Sequence, residues 1–267
     1  MVRYKKVFKA TLTLFFFDGE LAMAHYVISD LHGQYDIFKE LLIKVNFSAR
    51  DSLIVIGDAI DRGADGIKIL MDIMRMHNAK LLIGNHEAMM LMSVDPSGEL
   101  ELPGGKSDLW MYSNGGIETW EKYKLLSYGD RIRLLKWLNE CPLSLELELE
   151  GKKFLLTHSF FDERYIDVSY SDIPEELAWR LVWKSPFRWD TYVSLDEYYK
   201  RKETIVIGHV PVQRIRREFL LQSYRDNNLV VIDGGCAMPG SDKAGGICLK
   251  LEDMSEVTVS FADADKK

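Results

Sequence analysis

Five short apolar runs in this 267-residue chain each end on residues able to bind metal ions or move protons. Tyr26-Val27-Ile28-Ser29 leads to Asp30 and His32, and Leu53-Ile54-Val55-Ile56 leads through Gly57 to Asp58, Asp61 and Arg62. Lys80-Leu81-Leu82-Ile83 leads to Asn85 and His86, Phe154-Leu155-Leu156-Thr157 to His158, and Ile205-Val206-Ile207 to His209. Runs of this kind read as buried strands, and in open α/β sheets ligands bind beyond the carboxyl ends of the strands. Taken alone, Asp58 and Asp61 could simply cap the helix that starts near Asp65. Recurrence decides against that reading, because four of the six histidines stand at strand ends. The other two, His25 and His77, read as ordinary polar residues.

The donors are carboxylates, an amide and imidazoles without sulfur, a set that suits Mn²⁺, Fe²⁺ or Zn²⁺. It exceeds what one ion needs. A carboxylate such as Asp58 can bridge two ions through its two oxygens. Two ions about 3.5–4 Å apart can clamp both the attacking and the leaving side of an in-line phosphoryl displacement. Two divalent ions less the charges of Asp30 and Asp58 leave the centre at about +2. That charge would draw an anionic ester to a chain whose own net charge is −7. The same negative balance offers no general attraction for a nucleic-acid polymer or an anionic membrane.

The elements that must position these residues follow from periodicity. Helical faces after the first two strands carry Ile37, Phe38, Leu41, Leu42 and Val45, then Ile67, Leu70, Met71 and Met74. A Met-rich helix follows Gly84-Asn85-His86-Glu87, so three strand–loop–helix units predict a parallel βαβαβ core. Between Ser93 and Gly116 the periodicity breaks into a long surface excursion, and residues 117–139 read as helix. Leu143, Leu145, Leu147 and Leu149 alternate with glutamates as in a half-buried antiparallel strand, and Gly151-Lys152 is expected to turn it into the strand that ends at His158. After a Trp-rich helical and loop region at 172–200, the remaining strands are 205–207, 229–232, 246–251 and 257–261. The second half is therefore expected to form an antiparallel sheet packed on the first. No linker or repeat interrupts residues 23–267, which read as a single domain.

Residues 1–22 read as an N-terminal arm. Lys5, Lys6 and Lys9 precede an apolar run of about eight residues, Ala10 to Phe17, which only weakly resembles a signal peptide and is too short to cross a membrane. A chain starting at Met23 is expected to fold and keep its activity; an insoluble or inactive product would place the arm in the core. Cys141, Cys236 and Cys248 are far apart with no CxxC pair, so neither a disulfide framework nor a thiolate zinc site is indicated, and a cytoplasmic location is expected.

Taken together, Asp30-Leu31-His32-Gly33, Gly57-Asp58-Ala59-Ile60-Asp61-Arg62-Gly63 and Gly84-Asn85-His86-Glu87, followed by His158 and His209, resemble the PPP family of metallophosphatases. The resemblance runs from about Ala24 to Leu251. It implies a calcineurin-like α/β fold, two β-sheets packed together and flanked by helices. It also implies that Asp30 and His32 hold one metal, that Asn85, His158 and His209 hold the other, and that Asp58 bridges them. His86 would be the general acid, oriented by Asp61, and Arg62 would bind the substrate phosphate. For a second phosphate-binding residue Arg180, Lys184 and Arg188 are all candidates. Ser29 stands where the family usually has glycine, and Thr157-His158-Ser159 lacks the glycines that often follow this histidine. Trp110…Asn114-Gly115-Gly116…Thr119 and Val231-Ile232-Asp233-Gly234-Gly235-Cys236 look like bacterial and phage members, which include protein phosphatases and symmetrical dinucleoside-tetraphosphate hydrolases.

The expected activity is hydrolysis of phosphoserine and phosphothreonine monoesters, or of small phosphoesters, by direct attack of a metal-bound hydroxide. Two divalent ions, Mn²⁺ first and Fe²⁺ or Zn²⁺ as alternatives, are the expected cofactors. A dinucleoside tetraphosphate hydrolase using the same metals is the alternative. An inactive binding module with the same fold is the third reading, and the intact ligand set argues against it.

Overall fold

The strand–loop–helix units form the parallel core their periodicity predicts. In the computed structural model, which describes residues 23–95, 97 and 106–264, β1 (His25–Ile28), β2 (Ser52–Val55) and β3 (Ala79–Leu81) pair in parallel. They are joined by α1 (Tyr35–Lys44) and α2 (Gly66–Arg75), and α3 (Asn85–Ser93) follows. The arm at residues 1–22 lies outside the described residues. Successive residues of the strands point to opposite faces. Val27, Ile54 and Leu82 therefore enter a core between the two sheets, while Ile28, Leu53, Val55 and Leu81 enter a second core under the helices.

The second half departs from the expected antiparallel sheet. β4 (Ser144–Leu149) and β5 (Lys152–Thr157) do form a hairpin, but the turn is Glu150-Gly151, at φ 50° and 78°, rather than Gly151-Lys152. Two successive left-handed residues are what a two-residue type I′ turn requires. Beyond it, β5, β6 (Thr204–Ile207) and β8 (Leu229–Val231) run parallel, with β7 (Tyr224–Asp226) antiparallel on the edge. Ile205-Val206-Ile207 and Leu229-Val230-Val231 are buried throughout, and such unbroken apolar runs belong to parallel interior strands. β9 (Gly245–Lys250) and β10 (Glu256–Ser260) return to the first sheet, β9 pairing antiparallel with β1. The two sheets thus run β10-β9-β1-β2-β3 and β4-β5-β6-β8-β7.

Two helical expectations also change. A short α4 (Lys106–Asp108) continues into a π-helical turn at Leu109–Ser113, so this part of the 93–116 excursion is structured and carries the fully buried Trp110. The 117–139 helix is two, α5 (Gly116–Lys124) and α6 (Tyr128–Glu140). Ser127 separates them, its hydroxyl accepting from the Asp130 N–H as an N-cap. The Trp-rich region supplies α7 (Glu175–Trp183) and α8 (Asp196–Tyr199), and α9 (Val212–Arg216) and α10 (Phe261–Ala264) complete the chain order. No helix among the described residues is long and apolar enough to cross a membrane.

Candidate metal and phosphate site

Strand pairing brings the five functional loops to one edge. The Asp30 N–H donates to the Gly57 carbonyl (3.0 Å), His32 N–H to Asp58 (2.9 Å) and Gly208 N–H to His158 (2.9 Å). The loops are tightly bent. Asp30, His32, Asp58, Asp61, Arg62 and His209 all hold positive φ, between 43° and 72°. Left-handed backbone at non-glycine residues costs on the order of 1–3 kcal/mol each and persists only where the surroundings enforce it.

Much of that enforcement comes from Glu87, a residue to which the sequence assigned no role. It is fully buried, and its carboxylate accepts from the N–H groups of Asp58 (2.8 Å), Ala59 (2.8 Å) and Gly84 (3.0 Å). One side chain at the start of α3 thereby ties the β2 loop to the β3 loop. Glu87→Ala would leave three buried donors unpaired. The expected loss is about 3 kcal/mol or more, or roughly 6–12 °C in Tm. Glu87→Gln, which keeps one acceptor oxygen, should lose less. A Glu87→Ala melting curve that matches the native one would show that Glu87 does not hold these loops.

Two triangles of donors share the Asp58 carboxylate: His32, Asp58 and His86, and Asp58, His158 and His209. From Asp58 Oδ2 the distances are 3.9 Å to His32 Nε2, 3.8 Å to His86 Nε2 and 3.4 Å to His158 Nε2. Asn85 Oδ1 lies 2.9 Å from His158 Nε2 and 2.9 Å from His209 Nδ1. Asp30 belongs to neither triangle. Its carboxylate accepts from the His209 N–H (3.1 and 3.0 Å) and from the Ser29 hydroxyl. Serine in place of glycine at position 29 thus gives that buried carboxylate a donor. The hydroxyls flanking His158 also have partners: Thr157 donates to the carbonyl of Phe160 (2.9 Å), with that of Leu143 farther off at 3.2 Å, and Ser159 donates to that of Lys184.

Hydrogen bonding fixes which ring nitrogens are bare. His158 Nδ1 lies 3.0 Å from the Ile56 carbonyl and must donate to it, so Nε2 carries a lone pair. Burial brings the His158 pKa down to about 3, so the ring stays neutral. That lone pair faces the oxygens of Asn85 and Asp58, acceptor against acceptors. His32 repeats the pattern, with Nδ1 donating to the Ile60 carbonyl and burial pushing its pKa well down. Burial raises the pKa of Asp30 and Asp58, and Asp233 is pushed up to about 7. Among the described residues Asp30, Asp58 and Asp233 form no ion pair with Lys or Arg, and Arg62 and Arg214 act only from farther off. Neutral imidazoles and crowded buried carboxylates thus fit divalent cations, whose charge would offset theirs.

His86 stands apart through its second nitrogen. Nδ1 lies 2.6 Å from Asp61 Oδ2, which also accepts from Trp110 Nε1 at 2.8 Å, and the Asp61 N–H donates to Thr119 Oγ1 at 2.9 Å. Trp110 and Thr119 therefore position the pair. Gly115, at φ 79°, accepts the Arg62 N–H through its carbonyl, and a Cβ on Gly116 would meet the Trp110 indole at 2.6 Å. The Asn114-Gly115-Gly116 run is there for close approach.

A cleft of about 60 Å³ opens on these donors, and Arg62, Arg188 and Arg214 all line it. Arg62 Nη2 is 3.3 Å from His86 Nε2. Arg188 is the second candidate that the fold brings in; its guanidinium holds Asp190. Arg214, on α9, had no signal in the sequence, because nothing local separates it from the other surface arginines. Arg180 and Lys184 line a different hollow beyond Trp183.

A model of the calcineurin-like phosphoesterases matches residues 23–232. Similar curated proteins include symmetrical bis(5'-nucleosyl)-tetraphosphatases of Wigglesworthia glossinidia brevipalpis and Proteus mirabilis, 30% and 32% identical over 139 residues, 51% of this chain and 44% of theirs. Serine/threonine-protein phosphatase 2 of Salmonella typhimurium is 30% identical over 161 residues, 58% of this chain and 66% of that one. The chain thus spans about half the length of the tetraphosphatases it matches. Among solved structures, a candidate diadenosine tetraphosphatase superposes with a TM-score of 0.56 at 17% identity, covering 89% of this chain and 93% of that one. A metallophosphoesterase from Sphaerobacter thermophilus gives 0.50 at 14%, covering 89% and 87%. These structural likenesses establish the fold. Because the family match covers residues 23–232, more than half of the chain and every loop from Asp30 to His209, the chain belongs to the calcineurin-like phosphoesterases.

Proposed function

We propose that this hydrolase acts on phosphoserine and phosphothreonine monoesters with two divalent ions, Mn²⁺ in the active form. The observation that carries this reading is the His86–Asp61 pair, buried, held by Trp110 and Thr119, and 3.3 Å from Arg62 at the cleft. A serine or threonine alkoxide is a strongly basic leaving group and needs a proton, whereas the phosphate leaving group of an anhydride does not. An elaborate acid is built for the former. Bound ions would bring the pKa of a water to about 7 and offset phosphoryl charge. In the acid role His86 would carry protons on both ring nitrogens, Nδ1–H donating to Asp61 and Nε2–H directed at the departing oxygen. The donor-only Arg62 guanidinium would turn from Nε2 to the phosphate. Arg62 and Arg188 would bind phosphate oxygens through their forked donors.

The displacement proceeds directly, without a phosphoenzyme. No cysteine lines the cleft, and burial raises all three thiols, Cys141 and Cys248 to about 12. Trapping a phosphoryl-enzyme during turnover would overturn this.

One observation favours the second reading, a dinucleoside tetraphosphate hydrolase. A hollow of about 250 Å³ shares Arg188, His209, Pro211 and Arg214 with the cleft and adds Phe187 and the exposed Trp189. Its two arginines suit further phosphates and its aromatic rings a base. Side-by-side kcat/KM values for a phosphothreonine peptide and diadenosine tetraphosphate, with Mn²⁺ present, separate the two. The peptide is expected to be the better substrate, and the reverse order would select the second reading.

A further inference from the structure

Arg180 and Lys184, candidates for phosphate contact in the sequence, are four residues apart at the end of α7, a spacing that puts neighbouring side chains on one helix face. With Trp179, Trp183, Thr191 and Tyr192 they line a hollow of about 280 Å³. It meets the catalytic cleft at Trp183, which lines both and packs edge-on against His209 at 5.7 Å.

Two features of this hollow point to an anionic occupant. Among the described residues neither Arg180 nor Lys184 is within ion-pair distance of a carboxylate; Asp162, the acid that Lys184 acts on, is already bound through both oxygens by Arg164, and the Lys184 ammonium sits 5.1 Å from the Phe160 ring centre. The acidic residue in the lining, Asp190, is bound through both oxygens by Arg188, so its charge is offset. We propose that the hollow is a subsite for an acidic residue flanking the phosphorylated serine or threonine of a peptide, its carboxylate paired with Arg180 and Lys184 and its chain laid on Trp179 and Trp183. The proposal rests on the phosphoprotein reading above.

The test compares two phosphothreonine peptides that differ only in flanking residues, glutamates in one and lysines in the other, with the Mn²⁺-loaded full chain. Exposed charge pairs contribute modestly, so the expected preference for the glutamate peptide is roughly 5- to 10-fold in kcat/KM, carried mostly by KM. It should shrink as salt is raised, because these charges are screened. Arg180→Glu with Lys184→Glu should abolish or invert the ratio, and Arg180→Gln with Lys184→Gln should bring it near one if the reversal impairs folding. p-Nitrophenyl phosphate turnover is the internal reference for chemistry alone. Equal use of both peptides, or a preference that survives the substitutions, overturns the subsite and leaves the phosphatase reading standing. Hydrolysis of diadenosine tetraphosphate with neither peptide cleaved overturns that reading itself.

Discussion

His86→Asn is expected to slow hydrolysis of a phosphothreonine peptide by about 10²–10⁴ while slowing p-nitrophenyl phosphate hydrolysis far less. Nitrophenolate leaves without needing a proton; a threonine alkoxide does not. The geometry sharpens the alternative. His86 Nε2 lies in a triangle with His32 and Asp58, 3.8 Å from Asp58 Oδ2, so it is also placed to bind an ion. A ligand role predicts that both substrates slow by similar factors and that metal is lost. An acid role predicts divergent factors with metal retained. Kinetics on both substrates and elemental analysis of the same preparation decide between them, and equal slowing would remove His86 from the acid role.

Asp58→Asn should weaken both metal sites at once. Its carboxylate is the element common to the two donor triangles, and asparagine keeps the shape while removing the charge and one acceptor oxygen. Losing a mere outer partner of a ligand costs about 10–100-fold in metal affinity or activity, so loss of a shared ligand should exceed that. Native protein is expected to carry two divalent ions per chain and to lose activity to chelators. The Asp58 carboxylate also accepts the His86 N–H at 3.0 Å, which asparagine's remaining oxygen can still do, so the fold should survive. Loss of one ion with the other held at native affinity would show that Asp58 serves a single site.

The parallel core and the strand-end residues were legible because both are local. Apolar runs such as Leu53-Ile54-Val55-Ile56 announce buried strands wherever they occur, and turns at their ends must carry whatever the sheet edge presents. Sheet membership was not legible. Gly246 to Leu251 reads as a strand in isolation, but its partner is β1, more than two hundred residues earlier in the chain. The break at Ser127 could be read from its capping chemistry, since serine stands three residues before Asp130. It lost to the longer apolar pattern around it.

The sequence by itself determined the chemistry: which donors exist, that sulfur is not among them, and that they recur at strand ends. Only the tertiary structure decided how those donors are shared and supported. Glu87 spans two loops, and Trp110 arrives from an aperiodic stretch to hold Asp61. Arg188 and Arg214 reach the cleft while Arg180 and Lys184 miss it. The physical reason is range. Strand and helix signals are written in neighbouring residues, whereas a buried hydrogen bond or a charge at a cleft depends on where distant backbone has been brought, and sequence spacing carries no measure of that distance.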